Sequence, residues 1–218
     1  MPLTRRPLPD FFSRYHRIGG VLHFGLFADC TGTEESFHEA IAASIGESVG
    51  AGTIDRRHLV GLPWRSLSPQ AFLGCWADIR TRTLRRFGEY TASHRRKLIN
   101  PSYAELETLR RAGERITSGG TPIPDLWVGG QFAFAFADPP YGLFDTTPGE
   151  VQALFEAVLD VVVPRGRAVD IRDWGSPALA DACPDYSRPG TERWGVFLFT
   201  VFDAPNKALT VIAGSSTD

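Results

Sequence analysis

The stretch Arg193–Phe202, RWGVFLFTVF, followed by Asp203-Ala-Pro-Asn-Lys207 and then Ala208–Ala213, constrains the fold most. Two apolar runs joined by a short Pro/Asn turn read as a β-hairpin. The first arm is apolar on both faces, so it should lie inside a sheet. Val21–Ala28, VLHFGLFA, carries the same signature apart from His23, and is expected as a central strand with His23 as a core histidine. The strand runs into Asp29-Cys30-Thr31-Gly32-Thr33. Thr33 is placed to cap a helix whose Phe37, Ile41 and Ile45 form an apolar stripe and whose Glu34 and Glu35 suit its positive end. His38 is expected on the surface of that helix.

Phe132, Phe134 and Phe136 alternate with Ala133, Ala135 and Ala137, the period of a buried strand with rings on one face and methyl groups on the other. Pro139-Pro140 ends it, and would set Asp138 and Tyr141 at the strand exit. Thr147-Pro148-Gly149-Glu150 is the clearest helix start in the chain, followed by the stripe Val151, Leu154, Phe155, Val158, Leu159 and Val162. Ser68-Pro69 starts a helix expected to continue for about five turns to Phe87. Ser102 and Glu105 form a capping box for another, with Leu106, Leu109 and Ile116 on one side. Arg167–Arg172 suggests a short strand, and residues 173–192 a loop anchored by Trp174, Pro177 and Tyr186. Residues 1–17 suggest an extended arm held by Phe11, Phe12 and Tyr15. The expectation is a single α+β domain over residues 1–218, with a mixed or mainly antiparallel sheet, packed helices and a helical insertion at roughly 54–120.

Composition narrows the functional classes. Hydrophobic residues at 43% and charged residues at 22% are globular values that exclude a disordered or fibrous chain. A formal charge of −2 gives no global attraction to nucleic acid or to an acidic membrane. Cys30, Cys75 and Cys183 are odd in number and widely spaced, so neither a disulfide framework nor a zinc site is expected, and a cytoplasmic location fits. No run approaches the length of a membrane span or a signal peptide, so membrane insertion and standard secretion are not expected.

Two features carry functional expectations. The first is the basic run Arg80–Lys97, with Arg82, Arg85, Arg86, Arg95, Arg96 and Lys97 as candidate partner-binding residues on a helical face. It points to a non-catalytic module that binds a macromolecule, with an acidic protein surface favoured over nucleic acid. The second is Asp138-Pro139-Pro140-Tyr141, which resembles the Asp/Asn-Pro-Pro-Tyr/Phe signature of amino-methyltransferases acting on nucleic-acid bases. The resemblance implies that Asp138 accepts a hydrogen bond from the target amine and that Tyr141 stacks on the extruded base. It also implies S-adenosylmethionine near Asp29, Gly32 and Thr33, in a turn similar to a shortened methyl-donor loop. The same turn could instead bind an anion at the free N–H groups of the helix start, and a plain capped helix with a half-buried cysteine is the favoured reading of it. No metal-ligand pattern and no Ser-His-Asp or nucleophile-elbow pattern is visible.

Overall fold

The computed structural model describes residues 3–49, 54–85, 90–92, 97–99, 102–114, 116–118, 131–190 and 194–215. The first part of the chain forms β1 (Thr4–Arg6), α1 (Asp10–Arg17), β2 (His23–Ala28), α2 (Glu34–Val49), α3 (Arg56–Val60), β3 (Arg65–Leu67) and α4 (Pro69–Leu73). Five short strands and one helix follow: β4 (Ala77–Asp78), β5 (Thr83–Leu84), β6 (Tyr90–Ala92), β7 (Lys97–Ile99), α5 (Tyr103–Arg111) and β8 (Ile116–Ser118). The remainder is α6 (Phe132–Ala137), α7 (Pro148–Val162), β9 (Asp170–Asp173), α8 (Leu179–Ala182), α9 (Pro184–Gly190), β10 (Val196–Asp203) and β11 (Ala208–Ser215).

The fold is α+β. Six strands pair in the order β1-β2-β11-β10-β9-β3, and every pairing is antiparallel. β10 and β11 form the expected hairpin, in register from Val196↔Ser215 to Asp203↔Ala208, at the centre of the sheet. Their apolar character on both faces follows from what covers them. Phe197, Phe199 and Val201 point into a core shared with α1, α4, α6 and α7, whereas Leu198, Leu209, Val211 and Ala213 point into a second core with α2, α3, α8 and α9. The period of two thus sorts one strand's side chains between two helical layers. Two smaller antiparallel sheets, β4-β5 and β7-β6-β8, lie outside this one.

The largest departure from expectation is α6. Phe132–Ala137 is a helix, and all six of its residues are buried. In a helix Phe132 and Phe136 fall on one side, where both meet Phe155 of α7 at 6.1 and 5.3 Å. Phe134 turns the other way, against Trp76 at 5.2 Å and Phe197 at 6.3 Å. An element of one and a half turns buried all round satisfies strand alternation and helix spacing equally, so the period carried no decision. The rings are nonetheless the centre of the core. Tyr15 stacks on Phe136 at 4.4 Å, and Phe72 stacks on Phe132 at 4.7 Å.

The segment from residue 54 to 120 holds strands as well as helices, which corrects the helical insertion. The expected five-turn helix stops after Leu73, where Gly74 takes φ 75° and its N–H closes on the Gln70 carbonyl. The Gln70 amide then bonds the Gly74 and Ala77 carbonyls and accepts from the Ile79 N–H, while the Asp78 carboxylate accepts from the Arg80 and Thr81 N–H groups. Side-chain bonds to the backbone replace the helical ladder with a hairpin turn. Ser102 and Glu105 form the expected capping box, but α5 ends at Arg111, and Ile116 begins β8. The supposed N-terminal arm is β1 plus α1, whose Phe12 and Tyr15 are fully buried. In the supposed 173–192 loop, α8 and α9 form; Trp174 and Tyr186 are buried anchors, while Pro177 is exposed. α7 begins as expected, with the Thr147 hydroxyl accepting from the Glu150 N–H.

Candidate functional site

The methyltransferase-like constellation does not assemble. Asp138 caps a helix instead of ending a strand, and the sheet is antiparallel where that chemistry's fold needs parallel strands. The Cys30 N–H donates to the Lys207 carbonyl in the turn between β10 and β11. At the other end of β10, Trp194 donates its indole N–H to the Asp138 carbonyl at 2.9 Å. The eight residues of β10 separate these two contacts, so Asp29–Thr33 and Asp138–Tyr141 lie roughly 20 Å apart at opposite ends of the sheet. Each residue has a local structural role. Gly32 has φ 76°, and a Cβ there would sit 2.8 Å from the Phe202 ring. Thr33 caps α2 through the Ser36 N–H, and Asp29 takes a left-handed φ of 61° in the turn. Tyr141 is 71% exposed, with Phe144 at 53%, in a loop pinned by Gly142 N–H to the Pro139 carbonyl and Phe144 N–H to the Ile18 carbonyl.

The described residues of the basic run do not share one helical face either. Arg82 is 3% exposed. Its guanidinium donates to Asp160 at 2.6 Å and to the Val163 carbonyl, so it serves the C-terminal end of α7, and burial lowers its pKa. Arg85 is exposed and lies 3.7 Å from Asp78. Arg86, Arg95 and Arg96 fall outside the described residues, and Lys97 lies in β7.

A basic and aromatic ledge occurs elsewhere, on residues 55–66 at the β3 edge of the sheet. Asp55 caps α3 by accepting from the Arg57 N–H at 2.9 Å, and Gly61 and Pro63 follow its end. The five-residue helix is held by buried Leu59, with Leu62 just beyond it, in the core that contains Phe37 and Trp174. Arg56, Arg57 and His58 are left on its outer side, with Val60 66% exposed. His58 pairs with Asp55 at 3.0 Å, and the Asp55 N–H donates to the Ala182 carbonyl at 2.9 Å, which ties α3 to α8.

Trp64 projects from this ledge, 38% exposed but held on three sides. Its indole N–H donates to Glu34 at 3.2 Å, its ring lies 4.0 Å from the Arg172 guanidinium carbon, and Trp174 sits 6.1 Å away. Arg172 is sandwiched, because Phe37 covers its other face at 4.3 Å while its Nε donates to Asp170 at 2.9 Å. Its Nη1 is buried without a hydrogen-bond partner, so ring contact supplies what hydrogen bonding does not. Arg65 grips Asp173 with Nε and Nη2 at 3.2 and 2.8 Å, and the second Asp173 oxygen accepts from the Gly175 N–H. Trp174 donates its indole N–H to Thr200 at 2.9 Å inside the core.

The histidine expectations are reversed. His23 is exposed at the start of β2, whereas His38 is 8% exposed against the edge of Trp174 at 5.4 Å. Burial lowers the His38 pKa, which keeps the ring neutral, and Glu34 opposes that shift.

Between α3 and the α8–α9 segment lies an open cleft of about 760 Å3. No group of three or more His, Cys, Asp or Glu side chains among the described residues is arranged to hold a metal ion, and no described helix is long and apolar enough to cross a membrane. Comparison with protein-family models, curated proteins and solved structures gives no match for this chain.

Proposed function

We propose that the chain is a binding module that recognises an acidic segment of a partner protein at the α3–Trp64 ledge. The carrying observation is Trp64, an exposed indole fixed in place by Arg172, Glu34 and Trp174 and carried on the same 55–66 segment as Arg56, Arg57 and Arg65. Tryptophan and arginine are the residue types that dominate binding hot spots, and a ring already immobilised loses little entropy on docking. Arg56 and Arg57 make no ion pair among the described residues, so their charge remains available to a partner. The Tyr141–Phe144 loop is a second exposed aromatic patch among the described residues, without arginines beside it in sequence.

A reducing compartment such as the cytoplasm belongs to the same reading, because all three cysteines are free thiols and Cys75 is exposed. Titrating 15N-labelled protein with a blocked hexa-aspartate peptide at low salt tests the proposal. Shifts concentrated at the backbone amides of residues 55–66 and at the Trp64 indole N–H are expected. Shifts confined to other surfaces, or none at millimolar peptide, would overturn it.

A further inference from the structure

The cleft beside the ledge has walls of opposite charge. Arg56 and Arg57 line it from α3 beside Asp55, whose carboxylate is already engaged by the Arg57 N–H and His58; Asp181 and Asp185 line it from α8 and α9, and Ile54 and Pro184 supply apolar surface between them. The hydrogen bond from Asp55 N–H to the Ala182 carbonyl joins the two walls at their base. Opposite charges flanking one cleft would neutralise each other if their side chains met. Among the described residues, none of the side chains of Arg56, Arg57, Asp181 and Asp185 has an ion-pair partner.

We propose that the cleft takes an extended peptide segment of mixed charge, with carboxylates against Arg56 and Arg57 and an ammonium or guanidinium group against Asp181 and Asp185. This rests on the binding-module reading above and narrows its acidic segment to one that also carries cationic residues. A purely acidic segment gains from one wall and is repelled by the other, whereas a segment carrying both signs is complementary to both. The Asp181–Asp185 wall therefore supplies selectivity, and the arginine wall supplies the anchor. The charged lining of the cleft suits a peptide more than an apolar small molecule.

Three blocked hexapeptides test this: one with two aspartates and two lysines separated by two glycines, one with the lysines replaced by glutamine, and one with the aspartates replaced by asparagine. The mixed peptide, in one of its two charge orders, is expected to bind roughly tenfold more tightly than the acidic one, from several partly exposed ion pairs. The pair D181N/D185N should erase that preference while leaving acidic-peptide affinity unchanged or higher. The pair R56Q/R57Q should weaken both. If the acidic peptide binds as well as the mixed one in both charge orders, the mixed-charge inference is overturned and the module reading stands. If neither the mixed nor the acidic peptide binds, both are overturned.

Discussion

Replacing Trp64 by alanine separates binding from folding. A buried tryptophan contributes on the order of 200 Å2 of contact surface. With the residue 38% exposed, roughly 120 Å2 is out of water, worth about 3 kcal/mol as an upper estimate at ~25 cal/mol per Å2. That area already includes the ring face over Arg172, and the hydrogen bond to Glu34 adds about 1 kcal/mol. The working figure for Trp64→Ala is a loss of roughly 2–3 kcal/mol, which leaves a domain of ordinary stability folded. Trp64→Phe retains the ring contact and loses the Glu34 bond, so about 1 kcal/mol is expected. Trp174→Ala, which empties a core site and strands the Thr200 hydroxyl, should cost about 3–5 kcal/mol. Urea unfolding followed by far-UV circular dichroism gives all three values. At 25 °C and low salt, folded Trp64→Ala should also bind the hexa-aspartate peptide at least tenfold more weakly. A variant that stays folded and binds like wild type would refute the anchor role, and a stability loss below about 0.5 kcal/mol would refute the packing assigned to the ring.

Three further outcomes follow from local geometry. Gly32→Ala combines a positive φ with a clash against Phe202, so it should lower the unfolding midpoint by an amount corresponding to about 1–3 kcal/mol. Glu107 has its pKa lowered to about 2 by hydrogen bonds from Arg110 first, and also from Arg111 and the Gly149 N–H. Its unfolded-state pKa is higher, so its contribution is present above the usual glutamate range and is lost as pH falls from there toward 2. Glu107→Gln should therefore flatten stability against pH in that window, and an unchanged slope would contradict the assignment. A thiol reagent at pH 8 should label exposed Cys75 first, leaving buried Cys30 and Cys183 protected until unfolding; burial pushes the Cys183 thiol up to about 11.

What the sequence reveals tracks how local the governing chemistry is. Thr147 with Glu150, Ser102 with Glu105, and the β10–β11 hairpin are specified by neighbours a few residues away, and all three are where the sequence places them. α6 defeats the pattern because burial on every side removes the polar face that would have distinguished strand from helix. Arg82 drops out of the basic run because the end of α7 draws it inward, a contact made across a large sequence separation. The ledge is harder still to foresee. Arg172 meets Trp64 because β3 pairs with β9, Ser66 opposite Arg172, and no local signal announces that pairing. Asp55 as an N-cap and the Gly61-Leu62-Pro63-Trp64 exit were the available clues to α3 and to an aromatic residue at its end.

If the α3–Trp64 ledge, and not the 80–97 run, meets the partner, charge reversal on the two surfaces has unequal consequences. Hexa-aspartate affinities of the charge-reversal pairs R56E/R57E and R85E/R86E, each measured at 50 and 200 mM salt, compare the two surfaces directly. R56E/R57E should lose roughly tenfold in affinity and show a weakened salt dependence, with R85E/R86E within about twofold of wild type. The opposite ranking would contradict the ledge assignment.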